Sequence, residues 1–193
     1  MANHYFKDQK FNHLDFTKIP FEKNEYYNCI FNGCNLEYVD LNEINFSKCT
    51  FENCNLSLAK LRNTAFREVV FIDCKMFGLN FTECNEFGLE FKFESCGLDN
   101  SSFYKTDIRK TSFAKCNLIE VDFEGCNLTE SQFSACDFSG AVFSGTNLEK
   151  ADFRTSVNYI INPEKNRLKK AKFSISQISG LLQEYDLKID LHS

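Results

Sequence analysis

Stepping through the chain by fives from Phe6 meets a large apolar side chain at every stop as far as Phe81. The stops include Phe11, Phe16, Phe21, Tyr26, Phe31, Leu36, Leu41, Phe46 and Phe51, then Leu56, Leu61, Phe66, Phe71 and Met76. A second run holds the same step from Phe93 to Phe153, through Leu98, Phe103, Ile108, Phe113 and their successors. Between the two runs the phase slips by two residues. An amphipathic helix repeats every ~3.6 residues and a half-buried strand every ~2, so neither accounts for a step of five. The chain must turn at each unit, so that one bulky side chain per unit points at a common axis.

The residues between the stops agree. Gly33, Gly78, Gly125, Gly140 and Gly145 each lie two after a stop, and Asn53, Asn63 and Asn100 share that slot. Both residue types tolerate the positive φ of tight turns. All ten cysteines fall in another single slot, two before a stop or its continuation. Elsewhere that slot holds Ala59, Ser101, Thr106, Val121 and Ala151. Small residues of this kind fit a narrow core, where a free cysteine behaves as a small hydrophobe. The C-x4-C-x14-C-x4-C spacing at 29, 34, 49 and 54 superficially suits a metal. The slot spreads the thiols along a line, however, and a metal needs them to converge.

With two outward residues allowed between the runs, Phe31, Phe51, Phe71, Phe93, Phe113, Phe133 and Phe153 form one ladder of twenty-residue period. Four inward corners per twenty residues describe an all-β square solenoid, with coils about 4.8 Å apart. CNLEY, CTFEN, CNLSL, CNLIE, CNLTE, CDFSG and ADFRT, as they stand here, resemble the unit of the pentapeptide-repeat proteins. The resemblance implies a right-handed quadrilateral β-helix. Within the family, the tail INPEKNRLKKAKFS resembles that of the microcin-immunity and quinolone-resistance (Qnr-type) members. Such members imply a cytoplasmic, DNA-mimicking protein that binds DNA gyrase or topoisomerase IV, and a homodimer joined at the C-terminal ends.

The slip lies in NEFGLEFKF, residues 85–93. Glu86 falls on a stop, so the register must fail there. Phe87 is predicted to turn inward in its place, with Gly88 permitting the turn. Residues after Phe153 leave the phase. Ile175, Ile178, Leu181, Leu182 and Tyr185 predict a short C-terminal helix with one apolar face, capped by Ser174. The expected organisation is a β-helix over 1–156, with a register break near 85–92, followed by a cap and dimerisation segment over 157–193.

Residues 1–156 carry 16 Lys and Arg against 23 Asp and Glu, while 157–193 carry 6 against 4. A rod of about 36 Å follows from about 30 units at four per ~4.8 Å coil. It is acidic, with roughly a third of the charge of a duplex that long. That argues against a nucleic-acid ligand and accommodates a basic protein partner. Outward carboxylates predicted to meet such a partner are Glu37, Asp40, Asp99, Asp107, Glu120, Asp122, Glu124 and Asp137. No apolar run approaches the ~20 residues needed to span a membrane. The start MANHYFKDQK has no apolar stretch of the signal-peptide kind. A cytoplasmic protein keeps its thiols reduced. His4, His13 and His192 lie near the ends, and no catalytic, cofactor or metal constellation is legible. The expectation is therefore a non-enzymatic protein, with an interaction scaffold lacking any topoisomerase role as the alternative.

Overall fold

A computed structural model describes residues 5–185, 187 and 188; His4 and His192 fall outside it. Its eleven short strands are, in chain order, β1 (Tyr5–Lys7), β2 (Lys10–Asn12), β3 (Glu25–Tyr27), β4 (Ile30–Asn32), β5 (Asn45–Ser47), β6 (Thr50–Glu52), β7 (Ala65–Arg67), β8 (Val69–Ile72), β9 (Phe91–Glu94), β10 (Ser112–Ala114) and β11 (Gln132–Ser134). Strands β1, β3, β5 and β7 make one parallel sheet, the first face. The others stack as a seven-stranded parallel sheet, β2-β4-β6-β8-β9-β10-β11, the second face. Two further faces are stacked single bridges. The third runs Asp15, Asn35, Asn55, Lys75, Gly97, Asn117, Asp137, Val157; the fourth includes Asp40 with Lys60, then Asn80, Ser102, Asp122, Val142. The chain is a quadrilateral β-helix.

The predicted ladder forms the second face. Phe31, Phe51, Phe71, Phe93, Phe113, Phe133 and Phe153 stack in order, with ring centroids 4.6 to 5.3 Å apart and planes within 25° of parallel. Offset stacks of this kind add to the burial energy of each ring. Coils are tied by backbone bonds along the axis, as from Leu36 N–H to Asn55 O at 2.7 Å. The turn slot has positive φ almost regardless of its residue: Gly33 (64°) and Asn53 (53°) adopt it, and so do Leu58 (57°) and Lys115 (54°).

All ten cysteines are buried and unbridged. The slot has a second property that the pattern did not reveal. Cys34, Cys54 and Cys74 each donate a thiol hydrogen to the carbonyl of Phe11, Phe31 and Phe51 in the preceding coil, at 3.3 Å. Where the slot holds a hydroxyl, the same bond recurs: Thr64 to Leu41 O at 2.7 Å, Thr146 to Phe123 O at 2.8 Å. A donor there is common and not obligatory, since Ala59, Val121 and Ala151 fill the same slot and Phe123 O also accepts the Cys126 N–H at 3.0 Å.

Three expectations are corrected. Phe87 does not turn inward; it is 81% exposed, and Phe91 is the buried ring, with Leu89 half-buried beside the core. The break is set by local polar bonds, since Asn85 Oδ1 accepts the Phe87 N–H at 3.0 Å and Gly88 takes φ of 69°. Glu86 is exposed, as its charge demands. Nor does the lattice end at Phe153. Asn147 pairs with Arg167, Asp152 with Lys172, and Phe173 stacks on Phe153 at 5.4 Å. Finally, the short C-terminal helix is present, as 3-10 turns over Ile175–Leu181 and Gln183–Tyr185, but Ser174 makes no side-chain cap. Of its apolar residues Leu181 packs on the core, Leu182 is half-buried, and Ile175, Ile178 and Tyr185 are exposed. Ile161 N–H bonds Gly180 O at 3.0 Å, which lays this segment across the last coil.

Candidate partner-binding surface

The residue before each inward corner is commonly Asp or Asn, and its side chain has local work. Asp40 Oδ1 accepts the N–H of Asn42 at 2.9 Å, Asp122 that of Glu124 at 2.9 Å, and Asp137 that of Ser139 at 2.9 Å. Asp107 does the same for Arg109 at 3.4 Å. Asn55 and Asn127 make equivalent bonds to Ser57 and Thr129. This Asx turn bends the chain together with a backbone bond at the same corner, as from Ala141 N–H to Phe138 O at 2.9 Å. Asp and Asn are interchangeable for it, so the turn leaves open whether a given corner is charged.

Seven of the eight predicted carboxylates fall on two adjoining faces. Asp137 is in the third-face column, and Glu37 and Asp99 each follow the inward residue next to that column. Glu120 lies at the same face's turn, where its Cγ is 3.1 Å from the position a Cβ on Gly140 would take. Asp40 and Asp122 are in the fourth-face column, and Glu124 follows Phe123 there. Asp107 stands apart. It stacks with Asn127, Asn147 and Arg167 in the continuation of the first face.

The electrostatics divide these carboxylates further. The Arg109 guanidinium holds Asp107 below its ordinary range and pairs with it. The Asn42 N–H, and then Lys23 at 3.4 Å, lower Asp40. Burial pushes Asp137 up, but bonds from Asn158 and Ser139 outweigh it and leave it lowered. All three stay ionised at neutral pH. In the third-face columns the cations are Lys75 and Lys18, the latter paired with Asp15 at 2.7 Å. The third face, with Asp15, Glu37, Asp99, Glu120 and Asp137 against Lys18 and Lys75, is net negative, whereas the fourth mixes its acids with Lys23, Lys60, Arg62 and Lys105.

Two features escaped the pattern. Glu37 and Asp40 rim a groove of about 410 Å³ whose apolar lining is Phe16, Pro20, Phe21, Tyr38 and Val39. At the other end, a groove of about 390 Å³ lies between the last coil and the 3-10 segment, lined by Asn158, Ile160, Gln177 and Gln183 among others. Both are open clefts. Among the described residues no group of three or more His, Cys, Asp or Glu is placed to hold a metal ion. No helix there is long and apolar enough to cross a membrane.

Known proteins bear on this surface through the fold. Among solved structures, a trypsin-treated variant of QnrB1, described as a plasmid-mediated fluoroquinolone resistance protein, superposes with a TM-score of 0.59 at 20% identity, over 97% of this chain and 92% of that one. HetL, a pentapeptide-repeat protein involved in heterocyst differentiation regulation in the cyanobacterium Nostoc sp., gives 0.28 at 15% identity, over 86% and 88% of the two chains. The second likeness is too loose to argue from, and the first speaks for the fold alone. No curated protein matches the chain. Residues 29–67 and 49–85 match the family of pentapeptide repeats (8 copies), and residues 89–159 match the pentapeptide repeat region. With a side chain turned inward at every fifth residue and the matches running through both halves of the rod, the chain belongs to the pentapeptide-repeat family.

Proposed function

We propose that the protein is a non-enzymatic DNA mimic that binds a type II topoisomerase, DNA gyrase or topoisomerase IV, and modulates it or protects it from quinolones or microcin. The observation that carries this reading is the gathering of seven carboxylates on two neighbouring faces of a stiff rod. Binding by a preorganised surface loses little freedom, and regularly pitched acids complement a basic DNA-binding saddle. The C-terminal segment within 157–193 would join two copies, with Ile175, Ile178 and Tyr185 exposed at that end and Leu181 and Leu182 partly covered. The partner would then meet a longer rod. The role of QnrB1 as a fluoroquinolone resistance protein agrees with this reading.

A second reading is an interaction scaffold with no topoisomerase role. It draws on the local duties of Asp40, Asp107, Asp122 and Asp137, which close their own turns whether or not a partner exists. Gyrase supercoiling and quinolone-induced cleavage assays separate the two. Inhibition or protection that weakens with salt and with charge reversal at Glu120 and Glu124 supports the first. No effect on the cognate gyrase at tens of micromolar protein leaves the second.

A further inference from the structure

The turn slot adopts a left-handed backbone in nearly every repeat, and glycine, asparagine or a charged residue usually fills it. Among the described residues in that conformation, the large apolar side chains are Tyr38 (φ 59°) and Leu58 (φ 57°). Bulky side chains are uncommon there because Cβ crowds the backbone. The two are neighbours in one column of the third face: Tyr38 N–H bonds Ser57 O at 3.0 Å, and Leu58 N–H bonds Phe77 O at 2.9 Å. Leu58 leans over Gly78, its Cδ2 2.7 Å from where a Cβ on that glycine would sit. Tyr38 is 66% exposed and Phe77 47%. An apolar ridge thus runs over three successive coils, exposed at Tyr38 and Phe77 and half-buried at Leu58, with a left-handed backbone at Tyr38 and Leu58.

Its surroundings state what it fits. Glu37 and Asp40 flank its lower end at the rim of the apolar-lined groove beneath Tyr38, where Lys23 also lines the groove 3.4 Å from Asp40 and would be displaced by an incoming cation. Asp99 and Glu120 continue the same face above it. An apolar strip framed by carboxylates complements a surface that is basic at its edge and apolar at its centre. Lysine and arginine carry that combination in one side chain, an aliphatic stem with a cationic head. A tyrosine face attracts the cation as well. A DNA duplex offers no such apolar strip, so the ridge is a feature that charge mimicry alone does not require.

We propose that Tyr38, Leu58 and Phe77 are the apolar anchor of the partner-binding face, taking a basic segment of the topoisomerase whose Lys or Arg stems lie on Tyr38 and whose heads meet Glu37 and Asp40. This rests on the topoisomerase reading above. The anchor sets how tightly the complex holds, and the carboxylates set its salt dependence.

The test measures binding of the full-length protein to immobilised cognate gyrase over a series of salt concentrations. Tyr38→Asn, Leu58→Asn and Phe77→Ser are each expected to weaken binding about tenfold or more, as loss of a central anchor does. The slope of log Kd against log salt should stay that of the parent. Glu37→Gln with Asp40→Asn should flatten the slope instead, while keeping the Asp40 turn. Melting temperatures are read on the same samples. Leu58→Asn is expected to melt at or above the parent temperature, since asparagine suits the left-handed slot. Parent-like affinity in all three apolar variants overturns the anchor and leaves the topoisomerase reading standing. So does weakened binding confined to variants that also melt lower. No binding of the parent protein to gyrase at any salt overturns both.

Discussion

Cys54 donates its thiol hydrogen to the carbonyl oxygen of Phe31, one coil below, at 3.3 Å, and Cys34 N–H in turn points at the Cys54 sulfur at 3.4 Å. The thiol is thus a polar link between coils as well as a packing group. Cys54→Ala removes a buried donor and a small volume together and should destabilise the rod by about 1–3 kcal/mol. Cys54→Ser keeps the donor and should cost less than Cys54→Ala. Urea denaturation of the two variants decides it. If alanine proves as good as serine, the slot is selected for size alone.

Phe91→Ala should cost about 3–5 kcal/mol, the usual range for emptying a buried aromatic site. Phe87→Ser, at an exposed ring, should change stability by under about 0.5 kcal/mol. Thermal and chemical unfolding of the pair tests which aromatic residue of the register break belongs to the core. A large loss at Phe87 would reverse the assignment.

Burial pushes the Cys49 and Cys126 thiols up to about 12. An unfolded thiol titrates near ~8.5, so the fold resists their ionisation. The stability from these neutral thiols is fully present below the unfolded value and is lost as pH climbs towards 12. At the acid end, Arg154 chiefly holds Asp152 down at about 2. Its contribution is present above the ordinary carboxylate value of ~3.9 and is lost as pH falls towards 2. Melting temperature should therefore be flat from about pH 5 to 8 and decline on both sides. Cys126→Ala should soften the alkaline decline and Arg154→Gln the acid one. Unchanged curves would mean that other groups govern both limbs.

A Cβ added at Gly180 would lie 2.0 Å from the carbonyl oxygen of Tyr159, and backbone cannot yield that far. Gly180→Ala should lift the 3-10 segment off the last coil and break the Ile161 to Gly180 bond. Faster amide hydrogen exchange at Ile161 and a lower melting temperature are the expected outcome. In sedimentation at micromolar concentration, the same variant should shift any dimer towards monomer. A dimer unaffected by Gly180→Ala would place its interface elsewhere.

The ladder from Phe31 to Phe153 and the inward cysteines were legible because a step of five has few physical explanations and each violation would bury a charge or expose a ring. The break was legible in position and not in conformation. Hydrophobicity favoured Phe87 for the core, whereas the Asn85 side chain and the Gly88 turn decided where it points. The last coil was hidden because Asn158 and Pro163 occupy the next two stops after Phe153, while Tyr159 and Ile161 are the residues buried there. In the tail, Ile175, Ile178 and Leu181 are spaced by three, the step of a 3-10 helix. That spacing supported a short helix with one apolar face, and the 3-10 pitch is the detail it did not specify. At the acidic surface, sequence identified the carboxylates but not their turn duties, because one letter, Asp, serves both. The apolar ridge is marked only faintly, since Tyr38 and Leu58 sit in the slot that often holds glycine or asparagine, and Phe77 lies one residue before it.

The left-handed turn slot has a consequence for how such a protein can change over time. Its backbone geometry is imposed by the coils above and below, and it accommodates Lys115, Glu120, Leu58 and Gly33 alike. One position in every five is therefore largely released from the task of folding. Lineages can rewrite many of these sites, each checked chiefly by its neighbour in the next coil, with little change to the rod's length, pitch and cross-section. Recognition in this architecture can diverge at the pace of surface substitutions, while the scaffold that displays it stands still.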